Sequence, residues 1–570
     1  MNRPRDLAVQ VCSLILVLAA AWVPARAQHA PAGRPGHPGL LHDWSSHHVA
    51  YTGLTEQNVA AQAERDPRVW MSWLKHAAGQ GPGAPVVRHR RERSKKRLHV
   101  DWNASLGSAT AALPAGAMAA KFSFDLNAVP SCANDYVAYG LNVAGSATQA
   151  NIIAFNNLYS SGILGGGGLC DGANSGQPTV RFAFNAGSTA VAGSISLSQD
   201  GSKLAFVGNP GGIATFYVLT WGTGGGTATV PLTPDAGCVT SCLKSVTLGA
   251  VADTTSTPYI DYANDAAYVG DDSGKIWKIV GVFKGTPAKA TADPNWPASG
   301  SFQTGTGGPL RSPVAALGKV YVTDAAGSLH VITPAASPTE VLATLDATGA
   351  AGQASDGPIV SISGVSGTIF AFGQDRLSTP IVLQTDAGGA VLQRVSLLGD
   401  GSEPTWDGSF DNTYFNDPTT GFLYVCASNS NSQGGSVPVG AILYRIPFQS
   451  STTMATTVDT SSNGSIAVSK QLNAPCSPLT EIFNSNTVAH PDTLFVQLGD
   501  NCDIAGNGCV HSYNLSGAAI ASANSVTESS VTAGPSSSIT VDNISTAAQA
   551  SSIYISVPGS AIKLTQSQLQ

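Results

Sequence analysis

Residues 266–280 read AAYVGDDSGKIWKIV, which is a short apolar strand, a polar turn that ends at Gly274, and a second strand of alternating residues. Two runs of β-branched or aromatic residues on either side of a glycine-containing polar turn predict a β-hairpin. The same pattern returns 53 residues later in VYVTDAAGSLHVI, residues 320–332. The coinciding positions are Tyr268 and Tyr321, Asp271 and Asp324, and Gly274 and Gly327. A repeated hairpin predicts a fold built from copies of one unit.

Eight stretches along the chain resemble the apolar strand of this hairpin. Their spacing varies from 49 to 71 residues, which favours four-stranded propeller blades over solenoid repeats, whose periods are shorter and more regular. We therefore predict an all-β fold, a β-propeller of eight blades, or of seven if one of the weaker units is an insertion. The candidate strands begin near Tyr136, Leu204, Ala267, Val320, Ile369, Leu423, Leu494 and Ile553.

The last unit supplies only three predicted strands, near 538–541, 553–557 and 561–564. Residues 98–103, LHVDWN, are predicted to be its outer strand, because pairing of the two ends of the body would leave no open edge in the ring. Residues 98–570 are then one closed domain.

Three segments precede this body. Residues 1–27 have a basic start, an apolar core and an A-x-A site, which predicts a cleaved signal peptide. Residues 28–79 form an accessory segment that is predicted to be partly helical from the spacing of its apolar residues. Residues 80–97 are a Gly/Pro linker that ends in seven Lys and Arg residues between positions 88 and 97. This run favours a solvated linker, and attachment to an anionic surface or protease cleavage are the alternatives.

Eight cysteines follow the signal peptide, and an even number in an exported chain predicts disulfides. The sequence does not decide the connectivity. A zinc site at the close pair Cys238 and Cys242 lacks a second pair of ligands nearby. Pairing of neighbours would join Cys132 to Cys170, Cys238 to Cys242, Cys426 to Cys476, and Cys502 to Cys509.

Charge excludes one class of partner. The net charge of the chain is −7, but the body from residue 103 onward carries 15 Lys and Arg against 29 Asp and Glu. Nucleic-acid binding needs clustered positive charge, so we expect no nucleic-acid partner. No stretch after the signal peptide is long and apolar enough to predict a membrane span.

The hairpin at 266–280 and its copy at 320–332 resemble the quinoprotein-type (PQQ-like) propeller repeat, in which a tyrosine-containing strand precedes an Asp/Gly turn and an aliphatic-aromatic strand. The body as a whole is similar to exported bacterial propeller proteins, mostly of unassigned function. The resemblance implies the fold more than the chemistry. A quinoprotein dehydrogenase would also need a stacking tryptophan, for which Trp277, Trp296 and Trp406 are candidates, and in some classes adjacent cysteines, which are missing.

The innermost strand of each blade lines the central channel of a propeller. Acids that converge there would hold calcium or another hard cation, although the same residue types also cap strands and turns. A separate group of metal-ligand types in the accessory segment, His42, Asp43, His47 and His48, is more typical of a solvated or locally packed stretch. The predicted channel-lining residues are Asp261, Arg311, Asp356, Glu403, Asp407, Glu481 and Asp542.

These observations predict a secreted, periplasmic or cell-surface propeller that acts as a binding or scaffold protein for a protein or glycan partner. Its loops, rich in Asn, Ser, Gly and Thr, suit adaptable polar recognition. The alternative is a calcium-dependent propeller enzyme such as a hydrolase or lactonase, or, less favoured, a quinoprotein dehydrogenase, with its site in the channel. The sequence identifies no catalytic residue and no cofactor beyond a candidate calcium ion.

Overall fold

The chain folds into eight β-sheets that form the blades of a β-propeller, which confirms the predicted fold and the count of eight. The predicted signal peptide and the linker with its basic run lie outside the described residues. The computed structural model describes residues 39–76, 98–124, 130–163, 166–172, 176–250, 252–401, 403–429, 439–450, 453–469, 471–483, 492–502, 505–516, 520, 529–542 and 549–566.

The first four blades follow one another along the chain, and their strands are given from the axis outward. Blade 1 contains β4 (Ala120–Ser123), β5 (Tyr136–Gly140), β6 (Ile152–Asn156) and β7 (Thr179–Phe184). Blade 2 contains β8 (Ser196–Leu197), β9 (Lys203–Gly208), β10 (Thr215–Thr220) and β11 (Cys242–Thr247). Blade 3 contains β12 (Tyr259–Asp261), β13 (Ala266–Gly270), β14 (Lys275–Val280), and both β15 (Ala288–Lys289) and β16 (Ser301–Gln303) against β14. Blade 4 contains β17 (Val314–Ala316), β18 (Lys319–Thr323), β19 (Ser328–Thr333) and β20 (Thr339–Thr344).

The remaining blades carry small additions to the same plan. Blade 5 contains β22 (Ile359–Ser363), β23 (Ser366–Gln374), β24 (Pro380–Asp386) and β25 (Val391–Ser396), with β21 (Gln353–Ala354) against β23. Blade 6 contains β26 (Ser409–Phe410), β27 (Phe422–Asn429) and β28 (Gly440–Ser450), with β29 (Thr453–Met454) and β30 (Ser465–Ala467) against β28. Blade 7 contains β31 (Thr480–Phe483), β32 (Asp492–Leu498), β33 (Asn507–Asn514) and β34 (Ser529–Thr532). Blade 8 contains β35 (Thr540–Asp542), β36 (Ser552–Val557), β37 (Ser560–Gln566) and β3 (Leu98–Ser105).

The ring closes through β3, the earliest strand of the body, which is the outer strand of the last blade. It pairs antiparallel with β37, from Ser105 opposite Ser560 to Leu98 opposite Gln566. This pairing confirms the predicted closure. The eight apolar strands predicted from the sequence are the second strands of the eight blades, β5, β9, β13, β18, β23, β27, β32 and β36.

Serine and threonine hydroxyls join neighbouring blades at the start of their innermost strands. The amide N–H of Met118 donates to the hydroxyl of Ser194 at 2.9 Å, and that of Ser194 donates to Thr257 at 2.9 Å. The N–H of Thr257 in turn donates to the hydroxyl of Ser312, also at 2.9 Å. All three hydroxyl residues are buried. These hydrogen bonds to side-chain hydroxyls therefore link blades 1 to 4, which are separate β-sheets and are not joined by a backbone ladder.

Residues 39–76 occupy the central channel, and we call them the plug. Its first strand, β1 (Leu40–His42), pairs antiparallel with the axis-facing edge of β4 in blade 1. After the single-turn helix α1 (Trp44–His47), strand β2 (Val49–Thr52) pairs in parallel with β22 in blade 5. Blades four positions apart in a ring of eight lie opposite each other, so the plug spans the channel from one side to the other.

The rest of the plug is the helix pair α2 (Glu56–Ala63) and α3 (Arg68–His76). It is fixed to blade 3 by Arg68, which is 3 % exposed, donates through Nη2 to the carbonyl of Ile260 at 3.1 Å and stacks 4.2 Å from the ring centroid of Tyr259. Asp66 holds this arginine with a bidentate contact and also accepts the Tyr51 hydroxyl at 2.7 Å. Elsewhere, the described residues include two short helical segments, α4 (Asn412–Asn416) and a 3₁₀ turn at Pro210–Gly212.

The eight cysteines form the four neighbouring pairs expected. Three of the pairs are local, and the disulfide between Cys426 and Cys476 joins β27 of blade 6 to the segment that leads into blade 7. Within the part of the chain that the structure describes, the helices are all too short or too polar to cross a membrane. The other pairs are Cys132 with Cys170, Cys238 with Cys242, and Cys502 with Cys509.

Candidate functional site

A pocket of about 260 Å³ lies on the propeller axis, on the side where the chain enters the innermost strands. We call this side the mouth face and the cavity the mouth pocket. Its walls are the residues that immediately precede the innermost strands of blades 1 to 6, and Trp44 of the plug lines it from within the channel. Its aromatic and polar lining residues are Trp44, Thr255, Thr257, Arg311, Ser312, Ser355, Asp356 and Trp406.

Trp406 crosses the mouth from blade 6 to the segment that leads into blade 1. A Cβ added at Gly116 would lie 2.2 Å from the indole ring, and Gly116 also has a φ of +72°. Only glycine therefore satisfies both the backbone conformation and the close approach of the ring. The indole is partly exposed, which makes it an apolar surface at the rim of the pocket.

Arg311 supplies the positive charge of the pocket. Its Nε donates to the carbonyl of Ala354 at 2.9 Å, which holds the guanidinium in place. Among the described residues no carboxylate lies within ion-pair distance of it, and the residue lines the wall of the pocket. A guanidinium held by its Nε suits bidentate recognition of a carboxylate or a pair of hydroxyls.

Beneath the mouth pocket, Trp44 stacks on His48 with the two ring centroids 3.8 Å apart. The indole Nε1 donates to Oδ2 of Asp356 at 3.3 Å, and the backbone N–H of Gly357 donates to Oδ1 of the same carboxylate at 2.7 Å. Trp44 is 2 % exposed. The plug thus seals the channel below the pocket with an aromatic layer.

His48 meets the two aspartates of blades 5 and 6 below this layer. Its Nε2 lies 3.7 Å from Oδ2 of Asp356 and 3.7 Å from Oδ2 of Asp407. The neighbouring His47 places its Nε2 2.6 Å from the same Oδ2 of Asp407. The side chains of His48 and Asp407 are 1 % and 0 % exposed. We call His48, Asp356 and Asp407 the buried triad.

Burial dominates the electrostatics of the buried triad. It lowers the pKa of His48 to about 4, more than the attraction of Asp407 raises it, so the imidazole is neutral. Burial and the nearby charge of Asp407 raise the pKa of Asp356 well above its usual range. Burial also raises the pKa of Asp43, which caps α1 and accepts the N–H of Leu197 in blade 2 at 3.1 Å.

The predicted channel residues do not form one ring of acids. Arg311 and Asp356 lie at the mouth pocket, and Asp407 lies in the buried triad. The other four lie in different surroundings, and one of them, Glu481, lines a separate small cavity with His47 of the plug. Asp261 accepts a hydrogen bond from Asn264 in the β12–β13 turn, and Glu481 lies on β31. Glu403 lies beside the mouth, where its backbone carbonyl accepts a hydrogen bond from Gln374. Asp542 on β35 forms an ion pair with Lys121 at 2.7 Å.

A second pocket, of about 180 Å³, lies on the opposite side, the far face, between blades 6 and 7. Asp411 and Asp492 line it together with Tyr424 and Phe483. Burial and the charge of Asp492 raise the pKa of Asp411 to about 7, and burial raises the pKa of Asp492 to about 6. These two acids were not among the residues predicted from the sequence, since each follows or starts an ordinary strand.

Residues that lie far apart in the sequence lie close together in the folded chain. The histidines were assigned to a solvated or locally packed stretch and the aspartates to the channel wall, about 300 residues away, yet His48, Asp356 and Asp407 meet inside the channel. His42 and His48 are buried and each bonds a backbone carbonyl of a blade, that of Val541 at 2.8 Å and that of Pro358 at 3.1 Å. The local sign of this placement in the sequence is the group of three histidines and one aspartate around Trp44, within residues 41–49.

No protein-family model matches the chain, and no curated protein does. Solved structures match it at low identity. The chain is similar to BamB from Moraxella catarrhalis, with 13 % identity, a TM-score of 0.39 and coverage of 82 % of this chain and 98 % of that one. It is similar to Sqt1 from Chaetomium thermophilum, with 11 % identity, a TM-score of 0.45 and coverage of 83 % and 98 %. A dihydro-heme d1 dehydrogenase, NirN, matches with 10 % identity, a TM-score of 0.38 and coverage of 80 % and 77 %.

Proposed function

We propose that this chain is a non-catalytic binding protein that anchors a protein or glycan partner at the mouth face of its propeller. The plugged channel carries this proposal. Because the plug crosses the channel from blade 1 to blade 5, a ligand that approaches from this side meets the mouth pocket and the loops around it.

The size and lining of the mouth pocket support an anchoring role. Its volume of about 260 Å³ is below the range of roughly 300–1,000 Å³ that small-molecule and cofactor sites usually have. It suits one side chain, one chain end or one sugar ring. The Trp406 indole offers a flat apolar face and the Arg311 guanidinium offers hydrogen-bond donors, a combination that interface anchors and sugar-binding sites both use.

We also propose that the protein works outside the cytoplasm, where it is secreted, periplasmic or attached to the cell surface. Four disulfide pairs persist only in an oxidising compartment, and the first 27 residues have the pattern of a signal peptide. The acidic body and its polar loops agree with a partner at the cell envelope. The quinoprotein-type repeats would be a shared architecture without the quinone chemistry.

The test is a binding screen with four variants of the full chain on arrays of cell-envelope glycans and of overlapping peptides. We expect Trp406→Ala and Arg311→Ala to weaken binding to the ligand found with the unaltered protein by at least tenfold, about 1.4 kcal/mol. Val365→Ser, in the turn between β22 and β23, and Lys319→Ala, at the start of β18, lie on the far face and should leave it unchanged. Binding that survives both mouth variants, or that a far-face variant abolishes, contradicts the proposal.

A further inference from the structure

The buried triad has a geometry that hydrogen bonds do not explain. Three acceptor atoms face one another, Nε2 of His48 and one oxygen each of Asp356 and Asp407, and all three residues are buried. The imidazole lies 3.7 Å from each oxygen, which is beyond hydrogen-bond distance. A proton shared between these atoms would draw them closer. Their separation instead suits atoms that bind a common ion.

The proton of His48 is already placed elsewhere. Its Nδ1 lies 3.1 Å from the carbonyl oxygen of Pro358, an acceptor, so Nδ1 carries the hydrogen. Nε2 therefore presents its lone pair to the two carboxylates. Histidines that bind metals usually donate their other ring N–H to a carbonyl or carboxylate in this way, which fixes the tautomer and the ring.

Asp407 lacks the donors that a buried carboxylate needs. Apart from the contact with His47, neither of its carboxylate oxygens accepts a hydrogen bond from any residue that the structure describes, and the side chain is fully buried. A buried carboxylate with so few donors carries an energetic cost. A cation within the triad would remove this cost, and His47 would then hold Asp407 in position as a supporting residue.

We propose that His48, Asp356 and Asp407 form a binding site for a divalent first-row transition ion such as Zn²⁺, which joins the plug to blades 5 and 6. One imidazole and two carboxylates favour this class over Ca²⁺, which takes six to eight oxygen ligands. Ligands bound to Zn²⁺ at about 2.0–2.1 Å with tetrahedral angles lie about 3.4 Å apart. The two distances of 3.7 Å from Nε2 of His48 to the carboxylate oxygens are close to this value.

The site would be structural. His48 comes from the plug, Asp356 from the segment before β22 and Asp407 from the segment before β26, so one ion cross-links three separate parts of the chain. Trp44 stacks on His48 and covers it towards the mouth pocket, so Asp356 is the one member of the triad that lines the pocket wall. The two proposals are tested separately, because the test of partner binding changes Trp406 and Arg311, which are not members of the triad.

The experiment uses the full mature chain, purified without a histidine tag, stripped with a chelator and dialysed against Zn²⁺, Mn²⁺ or Ca²⁺. We expect one Zn²⁺ per chain by mass spectrometry of the metal content, no stoichiometric Ca²⁺, and a higher melting temperature with Zn²⁺ alone. Asp407→Asn should weaken Zn²⁺ binding by more than 100-fold, and His47→Gln by about 10- to 100-fold, the range for supporting residues.

The matched control is His42→Gln, which changes a buried plug histidine outside the triad and should leave the Zn²⁺ affinity unchanged. If Asp407→Asn does not fold, Asp356→Asn replaces it, and the visible spectrum of the Co²⁺-loaded unaltered protein reports whether nitrogen and oxygen ligands bind in a low-coordinate site. Failure of the unaltered chain to bind one ion overturns the proposal. Equal loss of affinity in His42→Gln and Asp407→Asn overturns it as well.

Discussion

Asp271 and Asp324 hold the turns of the two repeated hairpins in the same way. Oδ1 of Asp271 accepts the N–H of Lys275, and Oδ1 of Asp324 accepts the N–H of Ser328. The other carboxylate oxygen contacts a ring nitrogen six residues further along the chain, which is Nε1 of Trp277 for Asp271 and Nε2 of His330 for Asp324. The aspartate thus ties the turn to the following strand. This is the physical reason why the sequence repeat at these positions predicted the fold.

A third turn of this kind occurs in blade 5, where Asp375 accepts the N–H of Thr379 at 2.9 Å. Ser378 there takes the place of Gly274 and has a φ of +62°. We expect Ser378→Gly to stabilise the protein by about 0.5–1 kcal/mol, since relief of left-handed strain of about 1–2 kcal/mol exceeds the entropy cost of glycine. Gly274→Ala should cost at least about 1–2 kcal/mol, because its Cβ would also lie 2.6 Å from Gly307.

Urea denaturation monitored by tryptophan fluorescence measures both changes. Gly308→Ala is the control, since Gly308 has no left-handed φ and no atom within 4 Å of its Cβ position. A stabilising Gly274→Ala, or a destabilising Ser378→Gly, would show that the turn conformation is not what selects glycine here.

His330 makes stability depend on pH. Its side chain is buried, which lowers its pKa, but hydrogen bonds and charge attraction from Asp324 at 3.1 Å and Glu340 at 2.5 Å outweigh burial and raise the pKa above 6.5. The raised pKa means that the stabilisation is complete below about pH 6.5, the unfolded value, and is lost as the pH rises through the folded value. We expect His330→Gln to lower the melting temperature more at pH 5.5 than at pH 9. An equal loss at both values would contradict this assignment.

At the scale of the elements, the hydroxyl links between blades explain part of the Ser and Thr content of the chain. Thr257 accepts the N–H of Ser194 from blade 2 while its own N–H donates to Ser312 towards blade 4. Thr257→Val keeps the shape but leaves the buried N–H of Ser194 without this partner, so we expect a loss of about 1–3 kcal/mol in the free energy of unfolding. Thr286→Val, at an exposed position, is the control and should change stability little. Equal effects of the two variants in chemical denaturation would refute the role of the link.

The elements also show where sequence reasoning succeeds and where it stops. The second strands of the blades were predictable, because each is a continuous apolar run between turn residues and is buried by its own neighbours. The strand β1 was not, since it has three residues and its partners lie about 80 positions away, as in Leu40 opposite Ser123. Its last residue, His42, and the following Asp43 are polar, and they are buried because the channel receives them. The mouth pocket has the same origin, because six blades each contribute one or a few residues to it.

At the scale of the whole molecule, the plug is the part that ties opposite blades together. It buries Leu40, Leu41, Trp44 and Val49 against the channel wall, each at most 3 % exposed. We expect the chain that begins at residue 98 to melt at a lower temperature and to bind a hydrophobic dye, because the channel wall loses this apolar cover. A separately made peptide of residues 39–76 should restore the melting temperature.

The control for this experiment is the full-length protein cut by a protease within 77–97, which keeps the plug bound without a covalent link. It should melt close to the uncut protein. If the chain from residue 98 melts like the full chain and ignores the peptide, the plug contributes nothing to stability.

During synthesis, β3 cannot pair with β37 until the last part of the chain has been made. Residue 560 is added 455 residues after residue 105, its partner in the closed ring. At the usual rate of about 5–20 residues per second, the emerging chain spends roughly 20–90 s with the partner of β3 not yet made. A nascent chain that waits this long with an unpaired strand is a natural client for a chaperone, and slower translation near the end of the message would lengthen that dependence.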